Sequence, residues 1–115
     1  MYEMKNDIKK LINKIENIYV NISKCDINTA YTMLNEIMPD INKYLMEFVS
    51  KIPELNKLGV DIPTDVIVQQ LKNLLEAYKY KDSMLLADTL HYEINDTLTV
   101  YLGIIQELEK ENIIV

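Results

Sequence analysis

The sequence predicts an all-α protein, an antiparallel four-helix bundle, and three observations lead there. Apolar residues recur at steps of three and four along four separate stretches, the spacing that stacks them on one side of a 3.6-residue helix. Two Gly and three Pro in 115 residues supply too few turns for an all-β chain. The links between the stretches run short, long, short, which suits two helical hairpins packed together. A chain of this length reads as one domain, 1–115, and 49% hydrophobic with 26% charged residues is an ordinary globular balance.

The first helix is expected over about 2–22. Met4, Ile8, Leu11, Ile15, Ile18 and Ile22 alternate steps of four and three, and Ile12 and Tyr19 widen the seam on one flank. Asp7 lies in the early turns, where the helix dipole favours an acid. Ser23 to Asp26 is a polar link, with Asp26 placed to cap the second helix.

The second helix, about 26–51, carries Ile27, Tyr31, Leu34, Met38, Ile41, Leu45, Phe48 and Ile52 in the same rhythm. Pro39 sits inside it, lacking an N–H and crowding the Asn35 carbonyl. The seam keeps its phase across the proline, so the expectation is one helix kinked at Pro39. From Pro53 to Pro63 two prolines bracket Gly59, which marks the one long connection. Leu55, Leu58, Val60 and Ile62 make it too apolar for a floppy linker. It should pack over one end of the bundle, with room for a single helical turn.

The third helix is expected over about 64–80, opened by Pro63 and helped by Asp65 in its first turn. Ile67, Leu71, Leu74 and Tyr78 form its seam, with Val68 and Leu75 beside it. A tight link then leads to a fourth helix, about 83–110, capped by Asp82 or Ser83. Leu86, Leu90, Ile94, Leu98, Tyr101, Ile105 and Leu108 give it the longest stripe, which the other helices must cover. Met84, Leu85 and Leu86 are consecutive apolar residues, so its first turn is expected to be covered on more than one side by the 53–63 segment. Gly103 costs a helix interior roughly 1 kcal/mol against Ala, through tolerated slack or for close approach of another backbone.

Charge narrows the function classes. All twelve basic residues are Lys, and the net charge of −6 lies wholly in residues 58–115, four Lys against ten acids. Phosphate backbones and anionic membranes need clustered cations, so neither nucleic acid nor a membrane is an expected partner. A single cysteine, Cys25, cannot form an intramolecular disulfide. With no apolar run approaching ~20 residues and no cleavable leader, the expected location is cytoplasmic.

The densest set of reactive side chains is Asp88, His91, Tyr92, Glu93 and Asp96. Asp88-x-x-His91 is at best one degenerate copy of the Glu-x-x-His pair used by di-metal bundles. At ~100° per residue Asp88 points nearly opposite the apolar stripe, while His91 and Glu93 flank it on opposite sides. Glu93-x-x-Asp96 resembles half of the paired-carboxylate pattern of all-helical nucleotide pyrophosphohydrolases. The other half is missing, since the third helix offers only Glu76. Cys25 has no histidine nearer in sequence than His91, and there is no Gly-rich phosphate loop or nucleophile elbow. No catalytic, cofactor-binding or metal-binding residue is therefore assigned.

Eight Tyr against one Phe and no Trp put hydroxyls into aromatic core positions. Tyr19, Tyr31, Tyr78 and Tyr101 fall on or beside the seams, and each buried hydroxyl needs a partner. His91, Glu93 and Thr97, with Tyr101, form a polar cluster at the edge of the stripe, either structural or the wall of a small-ligand pocket. Leu85 and Tyr92 lie on the outer face amid Asp88, Asp96 and Thr99. Leu85, Asp88, Tyr92 and Asp96 make the candidate partner-binding strip.

Asp61-Ile62-Pro63, the Leu71 to Ala77 run, Lys81-Asp82, Leu86-Ala87-Asp88 and Tyr92-Glu93 carry a resemblance. The passage around them, roughly the middle third of the chain, resembles a segment of small bacterial proteins classed as a domain of unknown function. The resemblance implies a helical domain without an assigned activity. It adds weight to Asp88, Tyr92 and Glu93 without giving them a role. The expected function is a non-enzymatic protein–protein interaction module, adaptor or chaperone-like, that binds another protein or itself. The alternative is a metal- or nucleotide-dependent enzyme using Asp88, His91, Glu93 and Asp96.

Overall fold

Helix-forming seams are realised in a computed structural model that describes residues 2–111, with side chains from Met4 onward; the extreme ends of the expected 1–115 domain lie outside the described residues. Among the described residues there are four helices and no strand. They are α1 (Tyr2–Ser23), α2 (Ile27–Lys57), α3 (Thr64–Lys79) and α4 (83–110). The last has three segments, Ser83–Asp88, a π-helical Thr89–Ile94 and Asn95–Lys110. Asp88, Thr89, Ile94 and Asn95 all keep right-handed helical dihedrals, so the rod continues through both joins. The longest dimension of the molecule, 44 Å, is that of its 31-residue α2 at ~1.5 Å per residue.

Helix α2 runs past the expected end near residue 51 and includes Pro53 as well as Pro39. The missing N–H at Pro53 is outweighed by packing, because Ile52 and Leu55 continue the seam and are 2% and 1% exposed. The long connection is correspondingly shorter, 58–63.

Three helices end in the same way. The N–H of Gly59 bonds to the Asn56 carbonyl and that of Val60 to Leu55, with Gly59 at φ +88°. This pair of bonds is the Schellman motif, and a left-handed residue is what it requires. Cys25 (φ 64°) bonds to Ile22 while Asp26 bonds to Asn21; Lys81 (φ 53°) bonds to Tyr78 while Asp82 bonds to Ala77. Asp26 thus closes α1, and contrary to expectation it makes no side-chain cap to α2. Asp82 does cap α4, its carboxylate accepting from the Leu85 N–H at 3.1 Å.

The stripe of α4 is the common core: Leu86, Leu90, Ile94, Leu98, Tyr101, Ile105 and Leu108 are all buried. Ile8, Leu11, Ile15, Ile18 and Ile22 of α1 and Leu34, Ile41, Leu45 and Phe48 of α2 close over it, with Ile67, Leu74 and Ala77 from α3. Polar pairs mark the alignment. Lys5, Ile12 and Glu16 of α1 meet Glu109, Asn95 and His91 of α4. Asp7 and Asn21 meet Tyr44 and Met33 of α2, and Gln70 and Asn73 of α3 meet Thr97 and Glu93.

The first turn of α4 differs from expectation. Met84 and Leu85 are 77% and 44% exposed, and the 58–63 connection lies beside Val100 to Glu111. The cause is geometric. The connection joins the start of α3, whereas Ser83 follows its end, ~24 Å away along 16 residues. Leu75, expected beside the α3 seam, is 48% exposed.

Candidate protein-interaction surface on the fourth helix

The four members of the expected polar cluster go to three different helices. His91 Nδ1 lies 2.8 Å from the Glu16 carboxylate of α1, and its ring stacks on Tyr19 at 4.1 Å. Glu93, on the opposite flank, accepts from Asn73 of α3 at 3.3 Å, and Thr97 donates to Gln70 of the same helix. Tyr101 stacks on Phe48 of α2 at 4.5 Å and 10° between planes. The cluster does not converge; it ties α4 to each neighbour.

Nor do these groups serve the buried tyrosines in the way expected. The hydroxyls of Tyr31 and Tyr101 are buried without a hydrogen-bond partner, Tyr78 donates to Asn35, and Tyr44 donates to Asp7 at 3.3 Å. Burial pushes the Tyr101 hydroxyl far above the usual phenol range and raises that of Tyr31. Burial, then the Asp7 carboxylate, pushes Tyr44 up to about 12.

On the outer side of α4, Leu85 is 44% and Tyr92 61% exposed, with Asp88 and Asp96 also exposed. Tyr92 stands edge-on to His91 at 4.5 Å. Its phenol, ahead of burial and Asp88, holds the neighbouring Tyr19 hydroxyl above the ordinary tyrosine range. The strip therefore extends onto α1 through Tyr19, which the sequence placed on the flank of the seam, and Glu16, which sequence reasoning did not single out. The one signal for them was that Tyr19 widens the α1 seam on one flank. Asp96 stands at the other edge, lining an apolar cavity of 160 Å³ with Phe48, Ile62, Val66 and Val100.

The π-helical segment lies under this strip. Such segments often mark functional positions, because the wider turn breaks the α ladder and re-aims side chains. Here it leaves Thr89 fully buried with an unpartnered hydroxyl. Asn95, at the end of the segment, donates its side-chain N–H to the Ile12 carbonyl at 3.2 Å while its side-chain oxygen Oδ1 has no partner. Among the described residues no three His, Cys, Asp or Glu side chains are placed to hold a metal ion. What the surface offers is apolar contact framed by carboxylates.

Fold and surface together define a small all-helical domain, and among the described residues no helix is long and apolar enough to cross a membrane. The chain belongs to a family described as a domain of unknown function, DUF8042, whose model matches residues 1–101. That match takes in α1 and α2 as well as the passage that carries the sequence resemblance. No curated protein and no solved structure matches the chain.

Proposed function

We propose that the chain is an antiparallel four-helix bundle, its second helix bent at Pro39, that works as a non-enzymatic protein–protein interaction module. The reversed order of the polar pairs along α1–α4, α1–α2 and α3–α4 supports the antiparallel arrangement. Pro39 inside α2 supports the bend, since the Asn35 carbonyl loses its N–H partner and is crowded by the ring. The partner is another protein or a second copy. An adaptor fits this description, as does a chaperone that shelters an amphipathic helix of its client in the cytoplasm.

One observation carries the reading: Leu85 and Tyr92, seven residues apart on one face of α4, stay exposed at 44% and 61% among Asp88, Asp96 and Glu16. Apolar contact supplies the binding energy, and the acids select and steer the partner. An enzyme using Asp88, His91, Glu93 and Asp96 needs those groups together, whereas His91 is engaged with Glu16 and Glu93 with Asn73. The test compares proteins captured from native lysate by the wild-type chain and by Leu85→Asp/Tyr92→Asp. A correctly folded variant that loses specific partners supports the strip, and unchanged capture removes it. Thermal stabilisation by magnesium, manganese or a nucleotide that disappears in Glu93→Gln would favour the enzyme instead.

A further inference from the structure

We infer that the groove between the 58–63 connection and the end of α4 seats a helix from another protein, one whose apolar face is flanked by lysine or arginine. Helix lengths create the seat. α3 has 16 residues against the 31 of α2, and its polar pairing with α4 reaches only to Gln70–Thr97. Beyond Thr97 the α3 side of α4 is met, among the described residues, by the first turn of α3 at Val66 and Ile67 and then by the connecting residues Leu58 and Val60. They leave an apolar cavity of 160 Å³ walled by Val66 and Val100, and a wider groove of 620 Å³ along Leu58, Val60, Gly103 and Ile104. Val100 lines both, so the two openings adjoin at that side chain.

Gly103 is the second observation. Glycine weakens a helix interior, yet among the described residues, its own turn of helix aside, nothing lies within 4 Å of where its Cβ would stand. Bare backbone in a groove lined by Leu58, Val60, Ile104 and Leu108, with Glu107 and Glu111 also on its wall, is what lets a second helix come close. From Val100 to Glu111 α4 rises ~17 Å, which accommodates about three turns of a docked helix.

Charge selects the occupant. Asp96 lines the smaller opening, Glu107 and Glu111 line the wider one, Asp65 lines the adjoining hollow beside Val66, and Lys110 is drawn to Glu107 at 3.5 Å. A second copy would bring the same carboxylates to the same rim, which opposes self-docking through this face, whereas cationic flanks complement it. The seat stands apart from Leu85 and Tyr92, so each surface can fail without the other.

The probe is a synthetic ~18-residue peptide of Leu and Lys patterned as an amphipathic helix. Its controls are the same pattern with Glu for Lys, and a scramble of the Leu/Lys composition. The labelled full chain is titrated at ~0.15 M salt, where loose surface attraction is screened, and followed by amide chemical shifts. Expected are saturable shifts centred on Leu58, Val60, Gly103 and Ile104, at an affinity about tenfold or more above both controls. Gly103→Leu fills the groove with a good helix former and should keep the fold but lose the shifts, while Leu85→Asp/Tyr92→Asp should retain them. Equal response to either control, shifts centred elsewhere, or unaltered binding by Gly103→Leu would overturn the assignment. So would binding that appears only after residues 112–115 are removed, which gives the groove to the chain's own tail. A dimer that Gly103→Leu dissolves would give it to a second copy.

Discussion

Cys25, Gly59 and Lys81 hold the same left-handed position after three helices, yet only one of them is a glycine. A side chain in that conformation costs roughly 1–2 kcal/mol, because Cβ crowds the following carbonyl. Cys25→Gly is therefore expected to raise unfolding stability by about 1 kcal/mol, read from the urea midpoint; a lower midpoint would show that the thiol is engaged. Gly59 was legible as a turn from sequence, whereas nothing in a polar link announces that a Cys or Lys will go left-handed. Tyr101 is among the residues with a buried hydroxyl that lacks a partner. Tyr101→Phe should stabilise by about 1 kcal/mol, since only a desolvation penalty is removed, and a destabilised variant would reveal a partner. The folded-state pKa values of Tyr44 and Tyr101 lie above the ordinary 10.0, so their neutral forms are favoured by folding. That contribution is complete below pH 10 and is lost as pH rises from 10 toward 12. Tyr101→Phe should flatten the alkaline decline measured by thermal unfolding, and an unchanged slope would contradict this cause.

The α4 seam contains a signal that reading it as a plain amphipathic stripe overlooks. Its steps are 4, 4, 4, 3, 4, 3, from Leu86 to Leu108. Three steps of four carry a regular helix about 120° off its starting face, yet Leu86, Leu90, Ile94 and Leu98 are all fully buried. The π turn at Thr89–Ile94 absorbs the drift, so the segment behaves as a heptad helix with one residue inserted. Deleting Tyr92 leaves steps of 4, 3, 4, 3, 4, 3 and should keep cooperative unfolding within about 5 °C of wild type. Deleting Thr99, where the spacing has no surplus, turns Tyr101, Ile105 and Leu108 about 100° off the core and should abolish the cooperative transition. Equal effects of the two deletions would deny the insertion. Element ends were less legible: α2 passes Pro53 because Ile52 and Leu55 are buried, a tertiary effect no local rule supplies.

At the scale of the molecule, the four seams, the tight α3–α4 turn and the acidic second half were all readable, because each depends on spacing and charge alone. Which side of α4 stays uncovered was not, since it depends on α3 being half the length of α2 and on the path of the 58–63 connection. Leu85, Asp88, Tyr92 and Asp96 lie exposed, whereas the link from them to Glu16 and Tyr19 needs the packing of α1 against α4. What remains on the outside is an apolar, acid-framed surface on the helix that the rest of the chain encloses. Site-specific photocrosslinking in native lysate tests that surface most directly, with a benzophenone side chain at Leu85 or Tyr92 and a control at the exposed Lys9 of α1. The expected result is the same discrete protein adduct from both α4 positions and none from Lys9. An identical adduct pattern from all three positions, or no adduct from either α4 position, would contradict the proposed role.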